Sequence, residues 1–217
     1  INMNSFQNII EISLKNSIKK IFWPSSIAVF GTESQLEMVP QNPILNPSTI
    51  YGITKLAGER LMNYYNKKYN LDIRSLRYPG IVSVETQPGG GTTDYIIEMI
   101  NAAKQGKTYS CFLSKNTELP MMYISDAVYS ASQLMSAPKE LLKIDYPYNI
   151  TSFSITPKIL ENEIISNGFP LKVIYKPDFR QKIAESWPKK IDDTQSKIDW
   201  KWKPKFDLRN TIQKTLF

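Results

Sequence analysis

Tyr51 and Lys55 stand four residues apart in Pro47-Ser-Thr-Ile-Tyr51-Gly-Ile-Thr-Lys55-Leu-Ala-Gly-Glu59. On a helix that spacing puts both side chains on one face, one turn apart. A free tyrosine has a pKa of about 10 and is a poor base near neutrality, but a lysine cation beside it favours the phenolate and lowers that value. A tyrosinate so placed can take the proton of a substrate hydroxyl while hydride leaves its carbon, and a serine hydroxyl can hold the substrate oxygen in line. Ser26, in the strand-like Phe22-Trp-Pro-Ser-Ser26-Ile-Ala-Val-Phe-Gly31, is the candidate for that serine.

The spacing alone is weak evidence. With 12 tyrosines in the chain and lysine at about a tenth of positions, about one such pair arises by chance. A second, Tyr64 with Lys68, lies further along the same segment. Context separates the two. Tyr51 follows Pro47-Ser48-Thr49, where the chain leaves a loop and a helix cap is available, whereas Tyr64 and Lys68 fall near the predicted helix end among other charges and read as a solvated face. For the first pair the competing reading is a half-buried tyrosine beside a surface lysine.

Three motifs together are more specific. Ser25-Ser26-Ile-Ala-Val-Phe-Gly31, then Tyr51-Gly-Ile-Thr-Lys55, then Leu76-Arg-Tyr-Pro-Gly80 occur in the order found in the extended short-chain dehydrogenase/reductases, which the chain resembles. Pro88-Gly-Gly-Gly-Thr-Thr-Asp-Tyr95, Leu119-Pro-Met-Met-Tyr123 and Lys176-Pro-Asp-Phe-Arg-Gln-Lys-Ile-Ala-Glu-Ser-Trp-Pro188 narrow the likeness to the NAD-dependent L-threonine 3-dehydrogenases of that type. It runs from about Asn2 to the C-terminus.

The resemblance implies that Tyr51 removes the proton of the threonine 3-hydroxyl, Ser26 holds the oxygen, and Lys55 lowers the tyrosine pKa and holds the nicotinamide ribose. The product would be 2-amino-3-oxobutyrate. It further implies NAD contacts at Ser25, Tyr51, Lys55, Tyr78, Pro79, Gly80 and Ile81, and substrate contacts at Ser26, Gly91, Thr92, Thr93 and Trp187. For Arg180 a structural ion pair is the better reading than a ligand contact. A homodimer through helices near 4–18 and 49–68 is implied as well, and the apolar Ile50, Ile53, Leu56, Ala57, Leu61 and Met62 permit it, although burial against the chain's own sheet explains most of them.

The elements that must position these groups follow from periodicity and punctuation. Apolar residues at Phe6, Ile9, Ile10 and Leu14 predict a helix over 4–17. Lys20 to Phe30 predicts a buried strand broken at Pro24, 31–48 a proline-rich loop over the site, 49–68 a helix, and 72–78 a strand leaving through Pro79-Gly80. Gly89-Gly90-Gly91 precedes a helix capped at Thr92 or Thr93 and running to about Lys104. Beyond it, strands over 109–113, 119–124 and 148–150 alternate with helices over 126–137, 157–167 and 207–216.

The first glycine of the chain is Gly31. A dinucleotide-binding fold needs a glycine-rich turn after its first strand and an acidic residue after its second, and neither is found. The expectation is an α/β chain matching the C-terminal two thirds of the family: a partial Rossmann parallel sheet lacking its N-terminal glycine-rich βαβ part, with a small α/β substrate domain. Residues 1–85 would carry the Rossmann part and 86–217 mainly the substrate domain, interleaved because no linker divides them. The unpaired sheet edge would favour association.

Composition sets bounds. At 217 residues, 41% hydrophobic, the chain can bury one good core. The absence of histidine excludes the common zinc sites and histidine-based triads, and no metal site is expected. The single cysteine, Cys111, excludes an internal disulfide and reads as a core residue. The net charge of +7 comes from scattered lysines without an aromatic-interleaved basic stripe, so no nucleic acid is expected. No apolar run approaches the roughly 18 residues of a membrane span, and no signal peptide is visible. A cytoplasmic enzyme is expected, or a mitochondrial-matrix one in a eukaryote. Two alternatives stay open: a nucleotide-sugar epimerase or dehydratase of the same superfamily, and a non-catalytic fragment that needs a partner to supply the missing strands.

Overall fold

The computed structural model describes residues 2–85 and 87–217. Its elements in chain order are α1 (Asn2–Lys15), β1 (Lys20–Ser26), α2 (Ile50–Tyr69), β2 (Asp72–Tyr78), β3 (Gly80–Val82), α3 (Tyr95–Lys104), β4 (Tyr109–Cys111) and β5 (Leu119–Tyr123). They continue with α4 (Ile124–Ser136), β6 (Tyr148–Asn149), β7 (Phe153–Ile155), α5 (Pro157–Ser166), β8 (Val173–Tyr175), α6 (Arg180–Glu185), α7 (Thr194–Trp200) and α8 (Leu208–Leu216). The α/β character and the parallel β1-α2-β2 unit agree with the sequence expectation.

The site-bearing sheet has the order β1-β2-β6, all parallel. Register places Ser25 opposite Arg77 and Ser26 opposite Tyr78, while Arg77 is also opposite Asn149 of β6. A second sheet, β3-β5-β7, pairs Gly80 with Met121 and Val82 with Tyr123 in parallel. The small β4-β8 pair completes the set. Because β6 lies in the second half of the chain, the first sheet draws on both halves. The expected 85/86 division falls beside Thr86, which lies outside the described residues.

Proline does not break β1, contrary to expectation: Pro24 sits in the strand, in register with Leu76. β1 is an edge strand among the described residues, and an edge tolerates a residue without an N–H to donate. The strand instead ends at Ser26, where the chain turns into a single 3₁₀ turn over Ile27–Val29.

Apolar burial fastens these layers. Phe6 and Ile10 of α1, Met62 of α2, and Ile21, Trp23 and Ile73 of the sheet form one cluster, with the Phe6 and Trp23 rings stacked at 4.2 Å. Leu76, Met122, Tyr148, Trp200 and Trp202 form another on the opposite side of β2. The largest gathers α3, β4, β5, α5 and α8 and includes Cys111, fully closed to solvent as expected, whose thiol burial pushes up to about 11. Its fixed density leaves the short strands β3 and β5 little freedom to shift.

Candidate active site

Ser26 caps the 3₁₀ turn, its Oγ accepting the Ala28 N–H at 3.2 Å. The first turn of α2 docks directly on that turn. Thr49 Oγ1 accepts the Gly52 N–H at 3.0 Å and caps the helix, and a Cβ on Gly52 would lie 2.0 Å from the Ala28 carbonyl oxygen. Only glycine permits this approach, and it sets Tyr51 beside the turn that Ser26 opens.

One and a half turns on, Gly58 does the same for Trp23: a Cβ there would lie 2.4 Å from the indole ring. The indole then supports Lys55, whose Nζ lies 4.6 Å from its centroid and 5.6 Å from the centroid of the Tyr51 ring. Lys55 Nζ donates to the Pro24 carbonyl at 2.6 Å. The lysine is 7% exposed, and burial lowers its pKa below the ordinary lysine value. The aromatic faces and the carbonyl dipole offset part of that cost.

These groups open on a cavity of about 670 Å³. Its wall includes each residue singled out from the sequence: Ser25, Ser26, Tyr51, Lys55, Tyr78, Pro79, Gly80, Ile81, Gly91, Thr92, Thr93 and Trp187. Pro24, Ile27, Thr49 and Ile183 complete it and were not predicted. Thr49 could have been found as the cap next to Tyr51, and Ile183 as one of few apolar positions in a polar stretch. Pro24 and Ile27 carry no such signal.

Several side chains reach the cavity differently from what their types suggest. The Tyr78 hydroxyl points away, donating to the Ala127 carbonyl at 2.8 Å, and burial raises its pKa. The Ser25 hydroxyl donates to Glu59 Oε1 at 2.6 Å. A Cβ on Gly80 would lie 2.3 Å from Met121 Sδ and 2.8 Å from Thr93 Cγ2, so β3 and the 91–93 segment close tightly. Thr92 and Thr93 do not cap α3, which begins at Tyr95; Asp94 instead accepts the Gly91 N–H at 2.8 Å and turns the chain. Arg180 lies off the cavity, paired with Asp178 at 2.7 Å and stacked 3.3 Å from the Phe112 centroid, as a structural ion pair should be.

Among the described lining residues Lys55 is the only charged side chain, and no cluster of metal ligands is found among the described residues. Hydroxyls of Ser26, Thr49, Tyr51, Thr92 and Thr93 supply the remaining polar surface, and each can both donate and accept. Ile183 and Trp187, on the strap that includes α6, form an apolar wall. The arrangement suits proton abstraction from a small hydroxylated substrate.

Comparison with known proteins agrees with this geometry. The sequence pattern of the NAD dependent epimerase/dehydratase family matches residues 1–150. The chain is 39% identical over 213 residues to the mitochondrial L-threonine 3-dehydrogenase of Bos taurus, spanning 98% of this chain and 57% of the bovine protein. It is 40% identical to the solved holo form of a GalE-like L-threonine dehydrogenase from Cupriavidus necator, with a TM-score of 0.96, covering 99% of this chain and 70% of that one. The L-threonine 3-dehydrogenase of Trypanosoma brucei is likewise 40% identical, with a TM-score of 0.95, covering 99% of this chain and 67% of that structure.

Proposed function

Since the chain belongs to the NAD dependent epimerase/dehydratase family, we propose that it serves the NAD-dependent oxidation of L-threonine at C3 to 2-amino-3-oxobutyrate. The observation that carries this reading is the convergence of Ser26, Tyr51 and Lys55 on one cavity whose only charged lining residue among those described is Lys55.

In this reading Tyr51 accepts the proton of the 3-hydroxyl and Ser26 donates a hydrogen bond to the same oxygen. Lys55 favours the Tyr51 phenolate by its charge. Its own lowered pKa leaves it able to pass a proton at lower pH than a solvated lysine. Thr92, Thr93 and the backbone at Gly91 receive the amino-acid end, and Ile183 and Trp187 meet the methyl group and exclude water. NAD, when bound, supplies the acceptor for the hydride that leaves C3. The residues present fit its nicotinamide-ribose end: Lys55 offers a buried ammonium, and Tyr78 to Ile81 form a wall of the cavity at which Gly80 admits no side chain. Among the described residues, those lining the cavity include no glycine-rich turn of the kind that holds a pyrophosphate.

The charge content also bears on the substrate. A nucleotide sugar brings a diphosphate that calls for several cations or a helix N-terminus, whereas a zwitterionic amino acid has no net charge and suits a hydroxyl-rich wall with one lysine. A second reading draws on the open edge of β1 together with the chain's span of 57% of the bovine relative: a fragment whose cofactor site is completed by strands from a partner.

We further take residues 1–85 as the cofactor side and 86–217 as mainly the substrate side, and a homodimer as the assembly. Ile9, Ile12, Ile50 and Ile53 on α1 and α2 are about half or more exposed and suit such an interface. No described helix is long and apolar enough to cross a membrane. A cytoplasmic or mitochondrial-matrix setting is kept as part of the proposal.

The test is NADH formation by this 217-residue chain with NAD and L-threonine, with calorimetry of NAD alongside. Threonine-dependent NADH formation, and none with a UDP-sugar, is the expected result. NAD binding with turnover of the UDP-sugar alone would overturn the substrate. Absence of both binding and turnover, with association seen in sedimentation, would favour the fragment reading.

A further inference from the structure

A buried polar cluster adjoins the cavity at Ser25 and includes none of Ser26, Tyr51 and Lys55. Arg77 is 2% exposed and Glu59 3%. Arg77 donates from Nε to Glu59 Oε1 at 3.0 Å and from Nη2 to Oε2 at 2.9 Å, while the same Oε1 accepts from Ser25 at 2.6 Å. This side of the guanidinium therefore grips β1, next to Ser26, and α2, one turn past Lys55.

The other side faces the loop around Gln41 and, through Asn149, the strap. Arg77 Nη1 donates to the Gln41 carbonyl at 3.1 Å and to Asn149 Oδ1 at 3.3 Å. The amide of Asn149, fully buried, donates to the carbonyls of Pro40 at 2.9 Å and Asp192 at 3.4 Å. Gln41 returns the contact, its Oε1 accepting the Asn149 N–H at 2.9 Å. Segment 36–41 then runs alongside 189–192, with Lys189 N–H donating to Leu36 O at 2.7 Å, Val39 N–H to Lys190 O at 3.0 Å and Asp192 N–H to Val39 O at 2.9 Å. That second segment continues directly from Trp187, which with Ile183 closes the cavity.

We propose that Arg77 is a positioning residue that sets the strap bearing Ile183 and Trp187 against the strand and helix bearing Ser26, Tyr51 and Lys55. A guanidinium spreads its donors over three nitrogens in one rigid plane and reaches Glu59 on one side and the Gln41 carbonyl on the other, whereas an ammonium carries all three of its donors on one nitrogen and cannot span both. The register explains the location: Arg77 is the β2 residue opposite both Ser25 and Asn149. What the strap covers rests on the threonine-dehydrogenase reading; its attachment does not.

Arg74, three residues earlier on the same strand, provides the control. It too is buried, paired with a carboxylate, Asp72, at 2.8 Å, and bonded to carbonyls, those of Leu134 and Ala137. Those partners lie at the end of α4, away from the strap. Trp187 supplies the readout, because Trp23, Trp200 and Trp202 are all buried and it alone of the four is not.

The experiment is acrylamide quenching of tryptophan fluorescence in the wild-type chain, Arg77→Lys and Arg74→Lys, with Trp187→Phe in each background to isolate the Trp187 signal, and thermal melts alongside. Arg77→Lys is expected to raise the Trp187 quenching constant about twofold and Arg74→Lys to leave it unchanged, while both lower the melting temperature. Equal quenching in all three proteins, or an equal rise in both variants, would overturn the proposal. If Arg77→Lys does not fold, Asn149→Ala, which removes the side chain joining Arg77 to the Pro40 and Asp192 carbonyls, is expected to shift quenching in the same direction, and an unchanged value there counts equally against the proposal. Where threonine turnover is measurable, Arg77→Lys should raise KM about fivefold with kcat within about twofold of wild type. A chain without turnover would contradict the functional reading and leave the quenching result to decide this one.

Discussion

Helix α2 carries two tyrosine-lysine pairs of identical spacing and opposite fate. In the second, Lys68 donates directly to the Tyr64 hydroxyl at 2.7 Å, and that hydrogen bond is the main reason the lysine's pKa rises. The pair is exposed and belongs to a surface cluster with the Tyr65 and Tyr69 rings. In the first, Lys55 makes no such bond; it turns to the Pro24 carbonyl and lies between the Trp23 and Tyr51 rings, where burial lowers its pKa. The closer Tyr-Lys contact therefore belongs to the exposed pair. What distinguishes the pair to which the proposed function assigns the chemistry is the material around it: a glycine that lets the helix touch the Ser26 turn, and an indole that a second glycine admits.

The largest expected difference between the pairs is catalytic. Tyr51→Phe should lower threonine turnover by about a thousandfold with NAD affinity nearly unchanged, and Tyr64→Phe should leave both alone; steady-state rates and calorimetry on the two variants decide it. Equal rates for wild type and Tyr51→Phe would remove Tyr51 from the role.

The docking of the first pair can be broken without touching either member. Alanine for glycine inside a helix ordinarily stabilises by about 1 kcal/mol. At Gly52 the 2.0 Å approach to the Ala28 oxygen reverses the sign, and Gly52→Ala should cost about 1–3 kcal/mol of stability, read by urea denaturation. A gain in stability would show that the contact can relax.

A smaller effect separates the lysines by pH. Lys55 has a folded-state pKa below its unfolded value of 10.5, so between those values the unfolded chain holds a proton that the folded chain does not. Its contribution to stability thus rises with pH through that window. The stability advantage of Lys55→Met over wild type should be greatest well below 10.5 and shrink as pH approaches it. Lys68→Met, at a fully solvated site, should show no resolvable effect in the same titration.

Much of this was legible before any coordinates. The β2 strand falls on 72–78, the range read from the sequence with its exit through Pro79-Gly80, and the motif residues line one cavity. The failures share a cause. Pro24 reads as a strand breaker because sequence does not show which strand lies at an edge. Glu59 and Arg77, 18 positions apart, carry no sequence signal of their pairing, which arises only when α2 packs back on β2. The roles of Gly52 and Gly58 are likewise invisible along the chain, since the groups that fill their empty sides, the Ala28 carbonyl and the Trp23 ring, come from another element.

Cys111 gives the molecule a practical property. The only thiol in the chain is closed to solvent and titrates near 11, so at neutral pH the folded surface is blank to thiol-directed reagents. A single Lys190→Cys replacement, on the exposed stretch just beyond Trp187, would be the sole addressable sulfur. A spin label or fluorophore could be attached there without first replacing Cys111.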